Sequence, residues 1–125
     1  MEDRKTAAIT KVTKAVFPNT TNHYDTLFGG TALNWMDEVA FITATRYSRQ
    51  KMVTVSLDKI DFNKAIPAGT IVELIGTITR VGKTSLEVLV EVFTEEMYSD
   101  SREKSISGIF TMVAIDENKK PVTVI

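Results

Sequence analysis

The sequence predicts an α+β domain in which an antiparallel β-sheet packs against one long helix. From Thr31 to Tyr47 apolar residues recur densely without glycine or proline, which indicates a helix. Most of the remaining chain consists of runs rich in β-branched residues and bounded by turn residues, which is typical of strands. The links between the later runs are too short for the crossovers that parallel strands need, so we expect antiparallel neighbours.

The first two strands flank the helix. One is predicted at Thr6 to Phe17, which is rich in threonine, valine and isoleucine but alternates imperfectly. The other is predicted at Met52 to Ile60, where apolar and polar residues alternate with the period of a strand. This alternation predicts one buried face, formed by Val53, Val55 and Leu57.

Three further strands follow a predicted turn that begins at Ile66 and has Gly69 at its fourth position. The strands are expected at Thr70 to Val81, Ser85 to Thr94 and Lys104 to Asp116. The first two are joined by Gly82-Lys83-Thr84, which is short and contains glycine, and this predicts a hairpin.

Composition predicts a single domain and excludes several classes of function. With 125 residues the chain has the usual size of one domain, so we expect residues 1–125 to fold as a single unit. The 15 basic and 16 acidic residues form no long run of like charge, so no nucleic-acid partner is expected. Cysteine is absent and histidine occurs once, and we expect no metal site. No apolar stretch is long enough to span a bilayer, which predicts a cytoplasmic protein without a membrane partner.

Asp37 is the first candidate for a chemical role. On a helical wheel with Leu33 at zero it lies at about 40°, among apolar residues. Those residues are Met36, Ala40, Phe41, Ala44 and Tyr47. Glu38 falls on the polar side. A carboxylate surrounded by apolar groups is costly to ionise, and a catalytic function would explain why one is kept there. The position of Asp37 on the wheel is equally consistent with a structural carboxylate that reaches solvent at the edge of the apolar stripe.

The segment from Asn22 to Gly30 leads a pair of glycines into the start of the helix. Because Gly29 and Gly30 have no side chains, a substrate can approach the backbone closely there. Amides at a helix start can stabilise a developing oxyanion. A plain loop that uses glycine to enter the helix is the alternative.

A family resemblance adds to these observations. The run from Asn22 to Ala40, with Gly-Gly and Trp-Met-Asp-Glu, resembles the signature of hotdog-fold acyl-CoA thioesterases of the acyl-CoA hydrolase family. Later blocks are similar to that family in the same order: Val53 to Asp58, Asp61-Phe62, Val81 to Ser85 and Phe110 to Asp116. The resemblance covers nearly the whole chain. It implies a hotdog fold, in which an antiparallel sheet wraps around one long central helix.

The resemblance also implies roles for single residues. Asp37 corresponds to the general base or nucleophile, and Asn22 corresponds to the residue that holds the water or the carbonyl. Gly29 corresponds to the residue whose amide polarises the thioester carbonyl, and Gly30 next to it is expected to bind the substrate. Ser56 matches a position that orients the water in some relatives. In the family the site lies between subunits, so Asn22 and Asp37 are expected to meet across a homodimer or a larger tetramer or hexamer. The chain departs from the motif at Asp25, where glycine is usual.

Contacts with the phosphates of coenzyme A are predicted at the hairpin. Arg80 and Lys83 supply positive charge, and Thr84 and Ser85 supply hydroxyl donors. Each of them is also consistent with an ordinary solvated surface residue. No cofactor is expected, because coenzyme A is part of the substrate.

Three functions are therefore open. The first is hydrolysis of acyl-CoA thioesters by Asp37. The second is a noncatalytic acyl-CoA-binding protein of the same fold, since fold alone does not determine function. The third is a dehydratase of hydroxyacyl thioesters, which would pair a histidine with an acid. His23 precedes the glycine pair and does not face the helix carboxylate, so the dehydratase is the third of these hypotheses.

Overall fold

The computed structural model describes the backbone of residues 2–125 and the side chains of residues 4–125. Its elements are α1 (Glu2–Ala8), β1 (Thr10–Ala15), a short 3-10 helix (Pro18–Thr20), α2 (Gly29–Ser48), β2 (Lys51–Phe62), β3 (Thr70–Val81), β4 (Ser85–Glu96) and β5 (Arg102–Ile115). The five strands form one antiparallel sheet in the order β1-β3-β4-β5-β2. Helix α2 packs against this sheet, which confirms the predicted α+β architecture. Within the described part of the chain, neither helix has the length and apolar character needed to cross a membrane.

The N-terminal strand is shorter than predicted, because the chain up to Ala8 is helical. Arg4 Nε of α1 donates to the carbonyl of Tyr47 near the end of α2, at 2.5 Å. In return Arg46 of α2 donates to the carbonyls of Ala7 and Ile9, at 2.6 and 2.8 Å. The last carbonyls of a helix have no partner within the helix, so these two arginines stabilise both helix ends. The prediction of a strand from Thr6 was wrong for this reason.

Helix α2 begins at Gly29, two residues before the predicted start, and no side chain caps it. It ends where Arg49 adopts a left-handed conformation with φ 61° and donates its amide to the carbonyl of Thr45. The buried face of the helix comprises Ala32, Met36, Val39, Ala40, Thr43, Ala44, Tyr47 and Ser48. This face is rotated from the predicted stripe, since Phe41 is 47% exposed.

Helix α2 packs tightly against β3 at Gly76. A Cβ atom there would overlap the hydroxyl of Thr43 and would lie 2.9 Å from Cγ1 of Val39. Both residues are buried on the helix, so the helix itself would have to move. We expect Gly76→Ala to lower the free energy of unfolding by about 1–3 kcal/mol, measured by urea denaturation. Gly30→Ala is the control, because a Cβ at Gly30 would meet nothing within 4 Å. Equal stability of the two variants would contradict the tight packing at Gly76.

Strand β2 carries two irregularities that change which side chains face the helix. Thr54 pairs with Met112, and Ser56 pairs with the adjacent Thr111, so Val55 is an additional, bulged residue. A second shift lies between Asp58 and Asp61. Because a bulge reverses the alternation of a strand, the side chains toward the helix are Met52, Thr54 and Leu57. The predicted buried positions of Val53 and Val55 were wrong: they are 39% and 55% exposed.

The remaining strands follow the prediction closely. β3 has the predicted bounds, and β4 and β5 differ from the prediction by one or two residues at their ends. The β3-β4 hairpin is confirmed by antiparallel pairing that continues to Val81 and Leu86. The turn before β3 begins at Pro67 and not at Ile66, because Thr70 Oγ1 donates to the carbonyl of Pro67 at 2.8 Å. Gly69 occupies the third position with φ 82°, a conformation that favours glycine.

Candidate functional site

Asp37 lies half-buried on α2, at the rim of the buried face, next to β2. Thr54 Oγ1 donates a hydrogen bond to Asp37 Oδ1 at 2.6 Å. The same hydroxyl oxygen lies 3.2 Å from Sδ of Met112, its neighbour on β5. No other described group donates to the Asp37 carboxylate, so the threonine orients it and leaves Oδ2 free. A carboxylate held in this way can accept a proton from a water molecule.

The neighbouring acid, Glu38, has a different environment. Its side chain is exposed, and it forms no hydrogen bond or ion pair with the described residues. Asp37 has buried neighbours on one side, Met36 and Ala40, and the exposed ring of Phe41 on the other. The two acids therefore differ as the wheel predicted, although Asp37 lies at the edge of the apolar face and not within it.

Ser56 is not brought to Asp37. It pairs with Thr111, whose neighbours Phe110 and Met112 are buried toward the helix, so Ser56 points to the outer face of the sheet. Its hydroxyl lies 3.5 Å from a carboxylate oxygen of Asp58. Thr54 occupies the place beside Asp37 that was predicted for Ser56. The bulge at Val55 is the physical reason, and the sequence carried no signal for it.

Asn22 organises the loop before α2. Its Oδ1 accepts hydrogen bonds from the amide of Tyr24 at 2.9 Å and from the amide and hydroxyl of Thr26 at 3.2 and 3.1 Å. Its side-chain nitrogen donates to no described group, and Asn22 forms no hydrogen bond with Asp37 of the same chain. Asp25 has φ 59°, so it adopts the left-handed conformation that the glycine of the resembling motif would adopt easily. The turn therefore persists with aspartate.

Gly29 and Gly30 form the exposed start of α2. Their backbone amides meet no acceptor within the described chain. The loop before them is held by the amide of Leu27, which donates to the carbonyl of Ile66 at 2.8 Å. An uncapped start of a 20-residue helix presents free N–H groups and a positive dipole end, which favour negative charge.

The predicted phosphate-binding residues lie at the β3-β4 hairpin. Arg80 and Ser85 line one cavity of about 230 Å³ together with Glu87. Arg80 Nη1 lies 3.8 Å from Glu87 Oε2, so this guanidinium already faces a carboxylate. Lys83 is exposed and Thr84 is half-buried beside it. Cross-strand pairing places Arg80 in line with Glu87, Thr111 and Ser56, so it is not brought to Asp37 within one chain.

Comparison with known sequences identifies relatives of the chain. The family model described as "Thioesterase superfamily" matches residues 24–100. An uncharacterized acyl-CoA thioester hydrolase of Bacillus subtilis, YkhA, is 42% identical over 90% of this chain and 65% of its own length. Protein VdlD of Helicobacter pylori is 39% identical over 85% of this chain and 60% of its own length. The chain thus spans slightly less than two thirds of the length of these relatives.

Solved structures share the fold. The acyl-CoA hydrolase of Bacillus cereus superimposes with a TM-score of 0.92 at 34% identity, over 95% of this chain and 73% of that one. An acyl-CoA hydrolase of Staphylococcus aureus, solved in complex with butyryl coenzyme A and coenzyme A, has a TM-score of 0.90 at 32% identity, with the same coverage. A hexameric acyl-CoA thioesterase has a TM-score of 0.92 at 37% identity, over 95% of this chain and 76% of that one.

Structures of three alanine variants of the Staphylococcus aureus enzyme have also been solved. The variants replace an asparagine, an aspartate and a threonine. In that enzyme the aspartate follows the asparagine by 15 residues, and the threonine follows the aspartate by 17. Asn22, Asp37 and Thr54 have the same spacing in the present chain. The family match, the sequence identity and the fold agree, and the chain belongs to the thioesterase superfamily and has the hotdog fold.

Proposed function

We propose that this protein is an acyl-CoA thioesterase, which hydrolyses acyl-CoA to free CoA and a carboxylic acid, with Asp37 as general base or nucleophile. The observation that carries the proposal is the 2.6 Å hydrogen bond from Thr54 to Asp37, because it holds a reactive carboxylate in one orientation. The hydrolases among the relatives and structural neighbours support the substrate class.

As a general base, Asp37 takes a proton from water while the water oxygen attacks the thioester carbon. The carbonyl oxygen gains negative charge, and the free amide of Gly29 stabilises it. The carbon–sulfur bond then breaks, and the CoA thiolate leaves and takes up a proton. As a nucleophile, Asp37 would attack the carbon itself and form an anhydride that water then hydrolyses. Neither route needs a cofactor.

Two chains are needed to build this site. Gly29 and Asp37 lie on one helix, eight residues apart, and a rise of 1.5 Å per residue separates them by about 12 Å. Groups that act on one carbonyl must each lie about 3 Å from it. Asp37 of one subunit therefore works with Asn22 and Gly29 of another. The unpaired edge of β2, with exposed Val53 and Val55, offers a surface for such a homodimer, and the hexameric relative supports further assembly.

The phosphates of coenzyme A are assigned to the hairpin, with Arg80 and Lys83 as cations and Thr84 and Ser85 as hydroxyl donors. The cavity that Arg80 and Ser85 share supports this assignment. Glu87 lies in the same cavity, so a phosphate there has to replace Glu87 as the partner of Arg80.

Incubation of the wild-type protein with a panel of acyl-CoA esters tests the proposed activity. We expect free thiol to be released in proportion to enzyme concentration. A protein that binds acyl-CoA without releasing thiol would be the noncatalytic binder and would contradict the proposal.

Thr54 is expected to act by positioning Asp37. We predict that Thr54→Val lowers kcat by about 10- to 100-fold, because a hydrogen bond to a charged group contributes about 1.5–3 kcal/mol. KM and the thermal melt should change little, and Thr54→Ser should retain most of the activity. Steady-state kinetics with butyryl-CoA measures this, with Ser56→Ala as the matched control. Loss of kcat in Ser56→Ala and not in Thr54→Val would restore Ser56 to the site and remove Thr54.

A further inference from the structure

The residues that follow β5 turn back toward the core and form a short tail, residues 121–125. The turn is held by Asp116, whose Oδ1 accepts hydrogen bonds from the amides of Asn118 and Lys120 at 2.8 and 3.0 Å. After the turn, the amide of Val122 donates to the carbonyl of Ala114 at 2.9 Å. The tail therefore runs back beside the end of β5 and toward the β3-β4 hairpin.

Val124 connects this hairpin to the end of α2. Its amide donates to the carbonyl of Lys83 at 2.9 Å, and its own carbonyl accepts a hydrogen bond from Ser48 Oγ at 2.7 Å. Ser48 is the last residue of α2, and both residues are buried, with 4% of Ser48 and 2% of Val124 exposed. A buried polar group that loses its partner is costly, so this bridge of two hydrogen bonds resists opening.

The bridge reaches the hairpin at the residue that has the fewest other attachments. The side chain of Lys83 is exposed, and it forms no ion pair with any residue that the structure describes. The adjacent Thr84 is held to β5, because its carbonyl accepts the amide of Ala114 at 2.9 Å. In the described part of the chain, the carbonyl of Lys83 accepts a hydrogen bond from Val124 alone. The tail therefore determines where the backbone of Lys83 lies.

We propose that the tail positions Lys83 for the phosphates of coenzyme A, with Val124 and Ser48 as positioning residues that do not touch the substrate. The inference rests on the proposed function, since it takes Lys83 as a phosphate ligand. A lysine on a backbone fixed in advance has less freedom to lose when it binds, which improves affinity. Asp37 lies eleven residues before Ser48 on α2, about 16 Å along the helix, so the reacting carboxylate is not affected.

Ser48→Ala tests the bridge, because it removes the donor to the carbonyl of Val124. We expect KM for butyryl-CoA to rise by about 3- to 10-fold, which corresponds to the net contribution of one hydrogen bond. The value of kcat should stay unchanged, since phosphate contacts stabilise the ground state and the transition state alike. Butyryl-pantetheine carries the same thioester without the nucleotide phosphates, so its KM should not change.

Ser105→Ala is the matched control. Ser105 is also a buried serine of the core, and its hydroxyl bonds that of Thr94 at 2.7 Å near the opposite end of β5. This variant should lower the thermal melt by a similar amount and leave both KM values unchanged. If Ser48→Ala does not fold, Ser48→Cys replaces it, because a thiol has nearly the shape of the hydroxyl but donates weakly.

A double variant tests whether the bridge acts through Lys83. Lys83→Ala alone should raise KM for butyryl-CoA, and addition of Ser48→Ala should raise it no further, because no ammonium group is left to position. An additional rise in the double variant, or an equal rise for butyryl-pantetheine in Ser48→Ala, would overturn the inference. An unchanged KM in Lys83→Ala would also overturn it and leave the hydrolysis standing. If the wild type hydrolysed no acyl-CoA, the proposed function itself would fail.

Discussion

Asp37→Asn is expected to lower kcat for acyl-CoA hydrolysis by about 10²- to 10⁴-fold, which is the usual cost of losing a general acid or base. Asparagine keeps an oxygen that can accept the hydrogen bond of Thr54, so the local geometry should persist. What the variant lacks is the negative charge that takes the proton or attacks the carbon. The result should be an enzyme that binds substrate and folds normally but does not turn over.

The matched control is Glu38→Gln, which removes a charge from the adjacent residue of the same helix. Glu38 is exposed and contacts no described partner, so this variant should keep its activity. Hydrolysis of a short and a long acyl-CoA, together with thermal melts of all three proteins, measures the difference. If Asp37→Asn retained most of its activity with an unchanged melt, Asp37 would be structural and the catalytic assignment would be wrong.

Mixing two inactive variants is expected to restore activity to about a quarter of the wild-type value. Asn22→Ala and Asp37→Ala each disable both sites of a homodimer, because each site takes Asn22 from one chain and Asp37 from the other. In a mixed dimer one site combines the intact Asn22 and the intact Asp37, and the second site has neither. If half of the dimers are mixed, a quarter of all sites are functional.

The experiment requires exchange of subunits, so the two variants are unfolded and refolded together, and each is also refolded alone. Differently tagged chains allow the mixed species to be purified and assayed by itself, and it should reach about half of the wild-type activity. A mixed species that is as inactive as its parents would show that Asn22 and Asp37 act within one chain. Since Gly29 and Asp37 are about 12 Å apart on one helix, that result would also remove Gly29 from the oxyanion role.

Much of the fold could be predicted from local patterns. The bounds of β3 were predicted correctly because its flanking turns contain proline and glycine, which are the strongest local signals of a turn. Helix α2 was recognised by its length and its apolar periodicity. Asp37 was singled out by the same periodicity, and the glycine pair by its place before the helix, together with the resemblance of the surrounding motif. The structure places Asp37 on α2 as expected, and the helix already begins at Gly29.

Other features were decided by tertiary structure. Residues 6–8 were predicted to begin a strand, although Ala7 and Ala8 favour a helix, and they are helical where Arg4 and Arg46 exchange hydrogen bonds between the ends of α1 and α2. Those contacts join residues about forty positions apart, so no local window contains them.

Tertiary structure also decides that Thr54, and not Ser56, lies beside Asp37. Strict alternation would place Thr54 and Ser56 on one face of β2, and only the pairing with β5 shows that Val55 is an additional residue. A bulge is a property of two strands in register, so one strand alone cannot reveal it. The sequence by itself determined which helix carries the carboxylate and where the free amides lie. The pairing of β2 with β5 decided which hydroxyl reaches that carboxylate, because one extra residue reverses the direction of the side chains that follow it, up to the next bulge.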